Sequence, residues 1–103
     1  MICASVFYAN TLGKKFDHDY YQNKHIPMVK DRLAGSGMLR CEVDQGLSSA
    51  LPGSSAPYVC ICRFYFSTVD EFAKAFQDHM AEFQADIPNY TDIQPEFQIS
   101  QTI

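Results

Sequence analysis

The stretch "YVCICRFYFSTVDEF", residues 58–72, decides the fold. Its first ten residues are aromatic or β-branched almost throughout and read as a strand. Ser67 and Thr68 then offer a helix cap, and Glu71, three residues after Thr68, completes the spacing of a capping box. A strand therefore runs straight into a helix here. A period of two puts Tyr58, Cys60, Cys62, Phe64 and Phe66 on one face and Val59, Ile61 and Tyr65 on the other. Arg63 falls on the second face, where an ion pair at the sheet's edge is the plain expectation. A strand apolar on both sides needs cover on both sides.

Working outward, Val69, Phe72, Ala73, Phe76, Met80 and Phe83 recur at the spacing of one helical face, and Asp86 to Pro88 close that helix. Upstream, residues 2–9 alternate and read as a first strand. A polar turn at 10–16 leads to a helix that Asp17 or a neighbour can cap and that runs through Leu33, with Gly35 and Gly37 as stops. Residues 38–48 read as a second strand weakened by Gly46, and 48–57 as a Ser/Pro/Gly-rich loop. Residues 93–103 alternate Ile93, Pro95, Phe97, Ile99 against Gln94, Glu96, Gln98, Ser100, which predicts a half-buried last strand. The order β-α-β-β-α-β is the ferredoxin-like arrangement, an α+β fold with a four-stranded antiparallel sheet and two helices on one face. Two helices cover only one face, so the other is expected to meet a second copy in a homodimer.

The chain has 103 residues, the size of one domain over 1–103. Its net charge of −4, with no basic cluster larger than Lys14-Lys15, argues against nucleic acid or an anionic membrane as partner. The N-terminal stretch lacks the basic head of a secretory signal, and no apolar run is long enough to span a bilayer, so a cytoplasmic location is expected. Cys60 and Cys62 lack the intervening turn of a metal knuckle. The four cysteines are expected to be reduced, mostly buried thiols, with no metal site.

Residues 17–29, "DHDYYQNKHIPMV", hold the candidate chemistry. Pro27 lies well inside the first helix, removes an amide donor and disfavours helical geometry at Ile26. A kink or interruption is therefore expected between Lys24 and Met28, with the Asn23 carbonyl unpaired and His25 on the bend. Tyr21 is one turn before His25, and Tyr20, Tyr21 and His25 can face the sheet together. A neutral imidazole there can accept and donate a proton near neutral pH. Asp17 or Asp19 could orient it, although both lie nearly two turns away and are by default helix-start caps. His18 reads as a surface residue, and His79 falls at the edge of the buried face of the second helix.

The stretches "FDHDYYQNKHIPMV" (16–29) and "DIPNYTDIQPEFQIS" (86–100), with this element order, resemble the EthD family, small proteins named for an association with degradation of a tertiary-alkyl ether. That resemblance implies a dimeric α/β barrel, two such sheets facing each other with helices outside. Barrels of this kind include isomerases, cyclases, metal-free monooxygenases and decarboxylases. It implies His25 as the acid/base, with Tyr20 and Tyr21 as pocket neighbours. The expectation is a small cofactor-free enzyme that moves a proton on a hydrophobic carbonyl, lactone or phenolic compound, of isomerase, cyclase or decarboxylase type. Tyr8, Tyr20, Tyr21, Phe64, Phe66, Phe72, Phe76 and His79 are the candidate substrate-binding residues. The alternative is a non-catalytic protein that binds such a compound for a partner enzyme of an ether or aromatic degradation pathway.

Overall fold

A computed structural model describes all residues 1–103. Four strands, β1 (Ile2–Ala9), β2 (Arg40–Gln45), β3 (Tyr58–Phe66) and β4 (Glu96–Gln101), form an antiparallel sheet in the order β2-β3-β1-β4. The first helix, α1, comprises a turn His18–Tyr20, a wide π turn Tyr21–His25 and an α-helical segment Ile26–Ala34. The second, α2, is Val69–Asp86, followed by a 3₁₀ turn Ile87–Asn89. This is the ferredoxin-like α+β architecture that the element order predicts.

The two central strands carry the core. Ala4, Val6 and Tyr8 of β1 and Cys60, Cys62, Phe64 and Phe66 of β3 are buried against Val29 and Leu33 of α1 and Phe72, Ala75 and Phe83 of α2. On α2 the small buried residue is Ala75, whereas Ala73 faces solvent. Thr68 caps that helix by accepting from the Glu71 amide at 3.1 Å. The other sheet face is mixed in character. Tyr65 hydroxyl donates to Glu42, Arg63 pairs with Asp44 at 2.8 Å and with Glu42 at 3.4 Å, and the Arg40 guanidinium lies 4.0 Å over the Tyr65 ring. Around these charges stand the half-buried Phe7 and Ile61. A register shift beside Tyr8 and Ala9 separates Tyr58 from the face of Cys60: its ring packs 5.2 Å from Phe7. Strict alternation misassigns that residue because it does not see the bulge.

Three features differ from expectation. The second strand is shorter at both ends, since Gly46 leaves the ladder and its amide donates to the Val59 carbonyl at 2.9 Å. The last strand is an edge strand, and its Phe97 and Ile99 remain 58% and 47% exposed rather than half-buried. The first helix is not broken at Pro27. Ile26 keeps helical angles, φ −64° and ψ −42°, and its amide donates to the Tyr21 carbonyl five residues back. The extra residue in that turn places Pro27 in the first turn of a new α-helical segment, where a missing amide costs little.

Gly46 also shows why no side chain is tolerated at that exit from β2. A Cβ there would run into the Tyr58 carbonyl oxygen and come within 2.9 Å of the Ala56 methyl. Gly46→Ala should therefore lower stability by about 1–3 kcal/mol through enforced backbone shift, read as a lower urea midpoint at unchanged slope.

Candidate functional site

The π turn is the local device that sets the site. It widens α1 where Tyr21 and His25, both buried, face the sheet, and their rings stack at 5.3 Å and 18°. Asp17 does not reach His25. It is the N-cap, its carboxylate accepting from the Tyr20 amide at 3.1 Å, while Asp19 is exposed. The partner of His25 is Asp86, at the end of α2: Nδ1 lies 2.8 Å from Oδ2. The other carboxylate oxygen, Oδ1, accepts from the Tyr20 hydroxyl at 2.7 Å and from Asn89 Nδ2 at 2.9 Å.

On its other side His25 Nε2 faces the Tyr90 hydroxyl at 3.4 Å, and Tyr90 exchanges a 2.8 Å hydrogen bond with the Tyr8 hydroxyl. Tyr90 is held there by its backbone, because its carbonyl accepts from the Asp17 amide at 2.7 Å and a bridge joins Phe16 to Thr91. The result is a chain of side chains, Asp86–His25–Tyr90–Tyr8, that runs from a helix end into the interior. No buried side-chain nitrogen or oxygen lacks a partner.

Charge follows from this geometry. Burial pushes the Asp86 carboxyl up, but the hydrogen bonds from Tyr20, Asn89 and His25 outweigh it and hold the group below its ordinary value. Burial lowers the His25 pKa from 6.5, and the adjacent carboxylate only partly offsets that. The pair therefore rests as carboxylate and neutral imidazole. With Nδ1–H donating to Asp86, Nε2 carries the free lone pair and accepts from Tyr90. Burial pushes the Tyr8 phenol up to about 12 and the Tyr90 phenol well above its usual value, so both remain donors at neutral pH.

A cavity of about 260 Å³ lies between the helices and β1, β3 and β4, and 14 of its 19 lining residues are hydrophobic. Among them are His25, Tyr8, Tyr21, Phe64, Phe72, Phe76, Phe83 and Tyr90, with Met80, Phe97 and Ile99 at the exposed rim. None of the lining residues is Asp, Glu, Lys or Arg. Of the residues expected in the pocket, three lie elsewhere. Phe66 is fully buried behind Phe72, with rings 5.5 Å apart; Tyr20 turns to Asp86; and His79 packs 5.9 Å from Phe83 outside the cavity. In the sequence Asp86 reads as part of a helix stop, and Asn89 and Tyr90 as part of the segment that leads to the last strand. Asp86 and Tyr90 lie 61 and 65 residues from His25, and Asn89, which also donates to Asp86 three residues back, lies 69 from Tyr20; the one signal for them is the closing segment "DIPNYT".

The four cysteines are free, Cys3, Cys60 and Cys62 buried and Cys41 half-buried. No three His, Cys, Asp or Glu side chains converge as a metal site would require, and no helix is long and apolar enough to cross a membrane.

The model of the EthD domain matches residues 9–94. The crystal structure of an EthD-like protein from Ralstonia eutropha is 42% identical, with a TM-score of 0.91, covering 97% of this chain and 89% of that one. An ethyl tert-butyl ether d (EthD) family protein from Bacillus halodurans, 12% identical, has a TM-score of 0.68 over 100% of this chain and 99% of its own. A DABB family protein with a ferredoxin-like fold from Mesorhizobium loti, also 12% identical, gives 0.63 over 99% and 96%. At such identities the last two show the fold alone. No curated protein matches the sequence.

The His25 shift carries a sign that stability measurements can check. A depressed folded-state pKa means the unfolded chain binds the extra proton first, so stability is full above about pH 7.5 and falls as pH drops through 6.5. Asp86 adds a further loss only below its ordinary 3.8. Urea titrations from about pH 7.5 to 5 should show declining stability for the native chain and a much flatter profile for His25→Gln.

Proposed function

This chain belongs to the EthD family, and from that premise and the relay beneath its helices we propose that it is a proton-transfer enzyme acting on a small, neutral, hydrophobic carbonyl, lactone or phenolic compound. The observation that carries the proposal is the opening of the Asp86–His25–Tyr90–Tyr8 chain into a cavity that is otherwise uncharged and mostly apolar. A cavity of roughly 150 Å³ takes a benzene ring, so the space here suits a ligand of about one or two rings entering past Met80, Phe97 and Ile99. The lone pair on Nε2, directly or through the Tyr90 hydroxyl, takes a proton from a carbon next to the carbonyl or from a phenol. When the ligand binds, the neutral Tyr8 phenol turns its proton from the Tyr90 oxygen to the ligand oxygen on which charge develops, and Asp86 balances the imidazolium that forms. Return of the proton to another carbon completes an isomerisation; attack of the enolate on a second carbonyl within the ligand gives cyclisation. These steps call on no cofactor.

Hydrogen–deuterium exchange next to the carbonyl of small aromatic ketones and lactones in D₂O, followed by NMR, tests this. The native chain should accelerate exchange of at least one probe. His25→Ala should lose about 10²- to 10⁴-fold of that acceleration while still binding the probe. Exchange at the uncatalysed rate for every bound probe, or full activity in His25→Ala, contradicts it. The largely apolar, uncharged lining favours a second reading, a carrier that delivers such a compound to a partner enzyme. Tight binding without exchange is its signature.

The proposal includes a homodimer formed through the open sheet face. Phe7, Tyr58, Ile61 and Tyr65 leave an apolar surface there that the helices do not cover, set around the Arg63 ion pairs. Light scattering should give twice the chain mass of 11.7 kDa. Ile61→Glu, which places a carboxylate opposite Phe7 in the register, should give a folded monomer.

A further inference from the structure

We infer that Tyr20 and Asn89 are positioning residues, a clamp that fixes the Asp86 carboxylate so that Oδ2 alone addresses His25. The inference rests on the role proposed above for His25 but is read out without any ligand.

The geometry divides the carboxylate in two. Oδ2 accepts from His25 Nδ1 at 2.8 Å. Oδ1 accepts from the Tyr20 hydroxyl at 2.7 Å and from Asn89 Nδ2 at 2.9 Å, and those two donors are themselves 3.4 Å apart. The three groups come from different elements: Tyr20 from the first turn of α1, Asp86 from the end of α2, Asn89 from the 3₁₀ turn that follows. Tyr20 does not line the cavity, and neither do Asp86 and Asn89, so none of the three is placed to touch a ligand held there. Without those two donors the half-buried carboxylate is free to turn about its last bond and leave His25 Nδ1 to water.

Fixing it matters because an imidazole can carry its single proton on either nitrogen. A carboxylate locked at Nδ1 holds the proton there and leaves Nε2 as the acceptor on the cavity side. The other groups around the ring do not do this. Tyr21 stacks on its face, Tyr90 approaches Nε2, and Tyr8 lies beyond Tyr90. Of these, only the Tyr90 hydroxyl touches a ring nitrogen, and a hydroxyl can donate or accept. The tautomer is thus set by Asp86, and Asp86 is set by Tyr20 and Asn89.

Nitrogen-15 NMR of the His25 ring near neutral pH tests the clamp. In the native chain the shifts should report a proton on Nδ1 and a bare Nε2. Tyr20→Phe and Asn89→Ala each remove one donor, and the double variant should raise the Nε2–H share by about tenfold, giving an exchanging mixture, as should Asp86→Asn. Native tautomer and shifts in the folded double variant overturn the clamp. Should the double variant lose its native amide spectrum, the two single variants decide by the same criterion. A tautomer that shifts while the native chain exchanges no probe proton upholds the clamp and removes the proposed enzyme. An unchanged tautomer in an enzyme that does exchange removes the clamp alone.

Discussion

Two side chains separated by 61 residues, His25 and Asp86, meet at 2.8 Å where the π turn of α1 faces the end of α2, and the arrangement of the site follows from that contact. For it to form, α1 must turn His25 inward, α2 must stop at Asp86, and the following turn must bring Tyr90 back beneath the imidazole. Burial of an imidazole opposes its charged form, and a carboxylate beside it favours that form. Here burial wins for His25, while Tyr20 and Asn89 keep the charge on Asp86. A neutral base beside a stabilised anion is poised to accept a proton, which an imidazolium already formed would not be.

The π turn shows how a helix accommodates this demand. Pro27 lacks an amide, and in an unbroken α-helix that would leave a carbonyl unpaired one turn earlier. Five residues in a widened turn let the Ile26 amide reach Tyr21, after which Pro27 sits where a helix beginning needs no donor. The same widening sets Tyr21 and His25 one above the other, with nearly parallel rings. One backbone adjustment thus accommodates the proline and turns the histidine inward.

Much of the fold was legible because its signals are local. The run at 58–66, the cap at Thr68 and the apolar stripe through Phe72, Phe76 and Phe83 each depend on near neighbours in the chain. The homologous motif likewise pointed at His25 and Tyr21. What the sequence could not supply was the pairing of distant groups. Asp86 looks like a helix terminus, Tyr90 like part of a turn, and Tyr20 like a pocket residue, until the fold joins them. Periodicity also gave no warning of the bulge that moves Tyr58 to the other face, or that β4 would be an edge strand with Phe97 and Ile99 exposed at the cavity rim.

The site rests on one charge state: a carboxylate on Asp86, a proton on His25 Nδ1 and none on Nε2. Neutron diffraction from a crystal near neutral pD locates those nuclei directly. The expected result is a deuteron on Nδ1 pointing at Asp86, a bare Nε2 met by the Tyr90 deuteroxyl, and no deuteron on Asp86. A deuteron on Nε2, alone or together with one on Nδ1, would contradict it.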